Sequence, residues 1–427
     1  PFAICHPFRT DFGEEMSGPK GSNGPKPTRL RVVKDTDEPS VIIGPRDFMR
    51  NTKGGILPNT HNRMVALQTS LAGVFAYDSF EATYVYIKPP PWPSDRTAGD
   101  QVTEACYTRL TGWMDRELGL SCKRYDWVDA VAACARHISS LAQAIDLLPE
   151  WDGVKRVDSW LIDYAHAEDT EATRIISRMF YLGFAMRILS PGSTIQTVLI
   201  LEGPQGIYKS RLCKAIASPL GPKRFGELKE ISGKDAFIKL RGKVLLEIPE
   251  LSAFRGRETE HLKAYLSTDV DIYRPLYGKL DLFYPRSCVF VGTTNERAYL
   301  HDTTGNRRYM PVRLVGKIDI EAFQDDAKQL LAEALYRVRQ EEQYYCDSSM
   351  EAVLAPSTAD RIEEDPLKAP TLYSLRRKSE VCVSEILSEL GLKASDSPAA
   401  RRIAKILVDE GWEKKHTRLG NIWERPS

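Results

Sequence analysis

The stretch that decides the fold is Val198-Leu-Ile-Leu-Glu-Gly203-Pro-Gln-Gly206-Ile-Tyr-Lys209-Ser210. It opens with four apolar residues that predict a short buried strand, and the chain after its Lys-Ser pair has the apolar spacing of a helix. A strand, a glycine-rich loop and a Lys-Ser pair at a helix start are typical of a phosphate-binding loop, where backbone N–H groups and the helix N-terminus face an anion. A strand–turn–helix without a ligand is the alternative.

The side chains of this loop predict separate roles in binding a nucleotide. We expect Lys209 to reach the β- and γ-phosphates and Ser210 to hold Mg²⁺. The usual pattern has a glycine directly before the lysine, but Tyr208 stands there, and Gly206 offers backbone freedom two residues earlier. The expected nucleotide-binding residues are Gly203, Pro204, Gln205, Gly206, Ile207, Tyr208, Lys209, Ser210 and Arg211.

The composition is that of a globular protein of two or three domains, with 427 residues and a net charge of +1. This charge excludes a chain that attracts polyanions as a whole, so any nucleic-acid site must be a local basic patch. The eight cysteines form no C-x-x-C pair, which favours reduced thiols in a cytoplasm over a disulfide or zinc framework. No apolar run has transmembrane length, and we expect no membrane partner.

Composition and periodicity divide the chain into five segments. Within the second, the spacing predicts helices over 100–117 and 127–137 and a strand over 84–87. His137 is expected to cap or pack, because no partner lies at metal-ligand spacing. The segments are 1–50, a Gly/Pro-rich flexible tail in which Met16 is a candidate natural start; 51–150, a mainly helical accessory or oligomerisation domain; 151–345, the phosphate-loop domain; 346–372, a linker; and 373–427, a winged-helix-like domain.

Two later apolar runs predict strands beside the first. The run from Lys243 ends in acids, and we expect Glu247 to hold Mg²⁺ and Glu250 to activate or support the attacking water. The run from Cys288 leads to Asn295, which is expected to contact the γ-phosphate; a solvated strand end and an Asn cap are the alternatives. Strands alternating with helices predict an α/β fold with a mostly parallel sheet covered on both faces and the nucleotide at its carboxyl edge.

Residues 271–283 alternate about a Tyr-Gly-Lys turn and predict a β-hairpin. Its Arg274, Tyr277 and Lys279 are expected to grip a nucleic-acid strand by charge and stacking, with a plain surface hairpin as the alternative. Arg307 and Arg308 precede a further apolar strand. We expect them to stabilise charge on a γ-phosphate, and this phosphate can be one that is bound to a neighbouring subunit. A salt-bridged surface pair is the alternative.

The last segment has the pattern helix, helix, hairpin. Its basic residues suit contact with the phosphates of duplex DNA, although such domains also serve as protein-binding modules. The expected duplex contacts are Arg401, Arg402 and Lys405 on the second helix and Lys414 and Lys415 on the hairpin.

Seven motifs follow one another along the chain: Trp151-Asp-Gly153, Arg187-x-x-x-Pro191-Gly192, Gly-Pro-Gln-Gly-x-x-Lys-Ser, Glu-Ile-Pro-Glu-Leu, Tyr-Arg-Pro-x-Tyr-Gly, Gly-Thr-Thr-Asn and Gly-Asn-Arg-Arg. In this order they resemble the virulence-associated protein E family, over roughly residues 50–345. The resemblance implies a P-loop NTPase core of the AAA+ or superfamily III helicase type, encoded by a phage, satellite or genomic island in a bacterial cell. It implies a homo-hexameric ring with ATP between subunits, single-stranded DNA in the pore and a primase as a possible partner.

Carried over by the resemblance, Lys209 and Ser210 form the phosphate-loop pair, Glu247 holds the metal, Asn295 acts as sensor, and Arg307 or Arg308 acts in trans. Lys279 and Tyr277 become pore contacts. The sequence therefore predicts an ATP-driven DNA helicase of mobile-element replication. A nucleotide-gated DNA-binding oligomer without unwinding activity is the first alternative, favoured by Tyr208 in the loop. A small-molecule kinase is the second.

Overall fold

The computed structural model describes residues 47–229, 234–250, 257–273, 281–300, 306–362, 365–417 and 420–425. Two compact units divide the chain, 1–39 and 40–427, and the second contains every described element. The predicted tail up to residue 46 lies outside the described residues, as do Arg274, Tyr277 and Lys279. Within those ranges, no helix is both long enough and apolar enough to cross a bilayer.

The N-terminal region is a mixed helix–sheet unit with a core of its own, in which Leu110, Met114 and Trp127 are fully buried. Its sheet has the order β2-β1-β3, with β1 and β2 antiparallel and β1 and β3 parallel. The elements are α1 (Thr60–Ser70), β1 (Phe75–Asp78), β2 (Thr83–Tyr86), α2 (Glu104–Leu118), α3 (Arg124–Cys134), β3 (Arg136–Ile138) and α4 (Ser140–Asp146).

This region corrects two predictions. β1 and β3 were not expected, because neither Phe-Ala-Tyr-Asp nor Arg-His-Ile alternates apolar and polar residues. His137 ends no helix: it lies in β3 opposite Tyr77, with the two ring centroids 5.3 Å apart. The predicted strand over 84–87 corresponds to β2.

The central region is built on one five-stranded sheet of order β10-β4-β9-β6-β5, in which every neighbouring pair is parallel. This confirms the predicted α/β class with a parallel sheet. Its elements are α5 (Trp160–Asp163), α6 (Glu171–Leu189), β4 (Val198–Glu202), α7 (Lys209–Ala217), β5 (Phe225–Glu227), α8 (Lys234–Ile238), β6 (Leu245–Ile248), α9 (Arg257–Leu266), β7 (Val270–Tyr273), β8 (Leu282–Pro285), β9 (Val289–Thr294), β10 (Tyr309–Arg313) and α10 (Ile320–Arg339).

Helices cover both faces of this sheet, because alternate strand residues point to opposite sides. On one face, Leu199, Leu201 and Val291 pack in a core that includes residues of α6, α7 and α10. On the other, Val198 and Ile200 pack in a core that includes residues of α8 and α9. The predicted hairpin is present as the antiparallel pair β7–β8, and its turn lies outside the described residues.

The segment 346–372, predicted to be a linker, is largely helical. It contains α11 (Ser348–Ala359) and the start of α12 (Lys368–Leu375). Leu354 of α11 is buried in the core on the α6 face. The prediction failed because the acid, Ser and Pro content of the segment outweighed its few apolar residues. The helix α11 is also capped at its start, where Asp347 accepts hydrogen bonds from the backbone N–H groups of Ser349 and Met350.

The C-terminal region combines three helices with a three-stranded sheet of order β11-β13-β12, antiparallel throughout. Ile386, Ile403 and Trp423 lie in its separate core. After α12 its elements are β11 (Glu380–Val381), α13 (Val383–Glu389), α14 (Ser397–Asp409), β12 (Glu413–Thr417) and β13 (Gly420–Glu424).

Candidate functional site

The loop between β4 and α7 is shaped by three residues with positive φ. A Cβ at Gly203 would lie 2.7 Å from Cδ1 of Ile207 and 3.0 Å from the carbonyl oxygen of Leu314, so only glycine fits there. Gly206 has φ +86°. Tyr208, at the helix N-cap, has φ +77° and ψ +25°, a left-handed conformation that costs a non-glycine residue about 1–2 kcal/mol. The loop therefore takes a left-handed turn before the helix although a bulky residue occupies that position.

Lys209 is held inside this loop by neutral oxygens. Its Nζ donates to the carbonyl oxygens of Gly203 at 2.5 Å and Pro204 at 2.9 Å, and to Oδ1 of Asn295 at 2.9 Å. Burial lowers the pKa of Lys209 below its usual value, because the charged form loses hydration, and the nearby Glu247 carboxylate opposes this shift. None of the three acceptors carries a charge, so an anion entering the loop would gain strongly from the ammonium group.

Glu247 faces α7 from β6 and is 1% exposed. Its Oε1 accepts hydrogen bonds from Ser210 Oγ at 2.6 Å and from Thr293 Oγ1 at 2.8 Å. Its Oε2 is buried and has no hydrogen-bond partner among the residues that the structure describes. A buried carboxylate oxygen without a partner is unfavourable, so a cation or water is needed to satisfy it.

The donor set fits Mg²⁺ as the expected cation. Ser210 and Glu247 supply hard oxygen ligands side by side, and Mg²⁺ usually takes one or two protein oxygens and completes its shell with water and phosphate. No cluster of three or more His, Cys, Asp or Glu side chains suited to a metal occurs in the described part of the chain.

These side chains surround an open cavity of about 300 Å³ at the carboxyl edge of β4, β9 and β6. Glu250 lies at its rim, exposed and with φ +49°. The predicted residues from Gln205 to Arg211 line it, together with both predicted acids and the predicted sensor. The full lining is Gln205, Gly206, Ile207, Tyr208, Lys209, Ser210, Arg211, Glu247, Pro249, Glu250, Thr293, Thr294 and Asn295.

Other predicted residues lie elsewhere. Arg307 is exposed, and Nε of Arg308 donates to Ser267 Oγ at 3.1 Å; neither is among the residues lining the cavity. In the C-terminal region Arg402 pairs with Asp365, with Nε 2.9 Å from Oδ2. Lys415 pairs with Glu424. Arg401, Lys405 and Lys414 are exposed.

Sequence reasoning missed Pro249, Thr293 and Thr294 in the cavity lining, and Lys317 beside Tyr208. Thr293 was passed over in favour of Asn295, although strand alternation from Val289 and Val291 puts Thr293 on the face that Glu247 shares. Lys317 has its Nζ 4.6 Å from the centre of the Tyr208 ring. No local pattern signals Lys317, because its position depends on how the chain returns after β10.

The profile of the virulence-associated protein E-like domain matches residues 145–363, which is more than half of the 427 residues. The chain belongs to this family. No curated protein gives a match.

Among solved structures, the apo structure of the NrS-1 C-terminal region aligns with a TM-score of 0.48 at 12% identity, covering 85% of this chain and 98% of that one. An A-form apo structure of the same region aligns with a TM-score of 0.44 at 10% identity, covering 83% of this chain and 96% of that one.

Proposed function

We propose that the protein is a Mg²⁺-dependent ATPase that works as a ring-forming DNA helicase in the replication of a phage, satellite or genomic island. The observation that carries the proposal is the meeting of Lys209, Ser210, Glu247 and Asn295 around one cavity at the carboxyl edge of a parallel sheet. Ligands of α/β sheets bind at this edge, and these side chains are the types that a triphosphate with its metal requires.

The neutral contacts of Lys209 suggest how a nucleotide would enter. Phosphate oxygens would replace the carbonyl oxygens of Gly203 and Pro204 around Nζ, while Asn295 keeps the side chain aimed at the cavity. Bound Mg²⁺ would neutralise charge on the phosphates. Glu250, at the rim, is suited to orient the attacking water, and transfer then depends mainly on positioning and electrostatics.

Three features support the helicase part of the proposal. The family is that of the virulence-associated protein E-like domain. Arg307 is exposed and outside its own cavity, as a group acting on a neighbouring subunit must be. The β7–β8 hairpin exposes Ile272 and Phe283, an arrangement suited to contact with a single strand in the pore of a homo-hexamer.

The test is ATP hydrolysis with and without single-stranded DNA. Lys209→Ala is expected to lower the rate by at least about 100-fold, since it removes the charge that meets the phosphates. Lys214→Ala is the matched control, because Lys214 lies exposed on the same helix. Stimulation by DNA in the wild-type chain supports the helicase; an equal rate in the Lys209 and Lys214 variants rejects the site.

The second candidate is a nucleotide-gated DNA-binding oligomer without unwinding activity. The left-handed Tyr208 at the glycine position favours it, since a bulky residue there can slow hydrolysis while leaving binding intact. A strand-displacement assay separates the two, with Lys279→Ala as the probe. The helicase predicts lost unwinding with nucleotide binding unchanged; the oligomer predicts no unwinding in the wild-type chain despite binding of ATP and, through Arg401 and Lys414, of duplex DNA.

A further inference from the structure

Tyr208 stands where the phosphate-loop motif has a glycine, and two cationic side chains lie beside its ring. The Cζ atom of Arg211 lies 4.7 Å from the centre of its ring, and Nζ of Lys317 lies 4.6 Å from it. Cations at these distances are attracted by the electrons of an aromatic ring. Lys317 and Arg211 also lower the pKa of the Tyr208 hydroxyl by hydrogen bonding and charge, Lys317 having the larger effect.

Lys317 belongs to a segment that is itself anchored. The backbone N–H of Asp319 donates to the carbonyl oxygen of Tyr164 at 2.9 Å, and Leu314 pairs with Ala167. A Cβ at Gly316 would lie 3.2 Å from the ring of His166, so the chain passes close to that side chain. The segment 314–319 is therefore a firm support beside the loop.

A second contact ties the loop to the same support. The backbone N–H of Ile318 donates to the carbonyl oxygen of Ile207 at 3.2 Å, next to Tyr208. The strained residue is thus attached on its backbone side through Ile207 and on its ring side through Lys317. A strained left-handed residue persists only where its surroundings fix it, and here they do.

We propose that Tyr208 is a positioning residue: by holding Lys317 and Arg211 on its ring, it locks the left-handed turn and presets the 203–209 loop before a nucleotide arrives. This inference rests on the proposed nucleotide site. A glycine at the same position would adopt the turn without strain but would also leave it free to move. Tyr208 therefore restricts the movement of the turn, because its ring contacts Lys317 and Arg211.

The experiment compares four variants in ATP binding, in the separation of KM from kcat, and in hydrogen exchange of the 203–209 amides in nucleotide-free protein. Lys317→Ala is expected to raise KM about two- to fivefold with kcat unchanged. Tyr208→Gly, which loses both cation contacts, is expected to raise KM about tenfold. Tyr208→Phe keeps the ring but loses the hydroxyl that Lys317 and Arg211 also act on, so its KM should lie between the wild-type value and that of Tyr208→Gly. Lys328→Ala, on the exposed side of α10, is the control and should match wild type.

Faster exchange of the loop amides in Lys317→Ala and Tyr208→Gly, with a smaller increase in Tyr208→Phe and none in Lys328→Ala, supports the inference. It is overturned if Tyr208→Gly binds nucleotide as tightly as wild type, or if exchange in the loop is the same in all variants. Absence of nucleotide binding by the wild-type chain would instead reject the proposed function, and hydrogen exchange in the empty protein would still decide the role of Tyr208.

Discussion

Two glutamates follow apolar strand residues of the central sheet, and their surroundings differ completely. Glu202 ends β4 and is 3% exposed; Glu247 lies in β6 and is 1% exposed. Both oxygens of Glu202 are satisfied: Arg361 donates to Oε1 and Oε2 at 2.9 Å each, and the Tyr299 hydroxyl donates to Oε1 at 2.7 Å. Among the residues that the structure describes, Glu247 accepts hydrogen bonds from two hydroxyl groups, both on Oε1.

The direction of each side chain explains the difference. Glu202 points to the face where Val198 and Ile200 pack, and there it meets Arg361, which follows α11. Glu247 points to the opposite face with Leu245, where α7 presents Ser210. Removing the arginine from a buried carboxylate that it pairs on both oxygens is strongly destabilising, whereas Oε2 of Glu247, which has no partner among the described residues and borders a cavity, can accept a ligand.

The variant with the largest expected effect is Arg361→Ala, which tests whether Glu202 has a structural role. It leaves the Glu202 carboxylate buried without its cation, and we expect the free energy of unfolding to fall by about 3–5 kcal/mol. Thermal and urea unfolding measure the change. The control is Arg174→Ala, which removes an exposed pair with Asp169 and should change stability far less. Equal losses in the two variants would mean that Glu202 is not a structural anchor.

The next test exchanges each glutamate for its amide. Glu247→Gln keeps an acceptor for the hydroxyls but loses the charge, so ATP hydrolysis should fall about 10²–10³-fold while the melting temperature is unchanged. Glu202→Gln should do the reverse, lowering the melting temperature while the folded enzyme keeps its rate. Hydrolysis assays and calorimetry on both variants decide this, and a Glu247→Gln protein that hydrolyses ATP normally contradicts the assigned role.

The smallest effect comes from deleting one hydroxyl beside each carboxylate. Tyr299→Phe removes a buried donor to Glu202 and should lower the free energy of unfolding by about 1.5–3 kcal/mol. Thr293→Val leaves Ser210 on Glu247, so it should affect stability less and instead raise the Mg²⁺ concentration needed for half-maximal hydrolysis about tenfold. Magnesium titrations and urea unfolding measure the two effects. A magnesium requirement shifted by Tyr299→Phe would contradict the separate roles of Glu202 and Glu247.

Much of the central sheet was predictable because its signals are local. The apolar runs that begin at Val198, Lys243 and Cys288 contain β4, β6 and β9, and the loop residues from Gln205 to Tyr208 line one cavity, whereas Gly203 and Pro204 do not. The strands β1 and β3 were not predicted, since their residues carry no strand pattern of their own and are strands only through pairing with their neighbours. The helix α11 was mistaken for a linker for the same reason: the core it packs against is remote in sequence.

Local signals in the sequence specify how the strands and helices of the central sheet alternate, and they single out Lys209, Ser210 and Glu247, because apolar periodicity and glycine placement act over a few residues. Long-range packing, in contrast, pairs both oxygens of Glu202, leaves Oε2 of Glu247 without a partner among the described residues, and brings Lys317 to the ring of Tyr208. This follows because the role of a buried carboxylate depends on which groups pair with its oxygens. Those partners depend on which helix covers which face of the sheet, a choice made by contacts between distant parts of the chain.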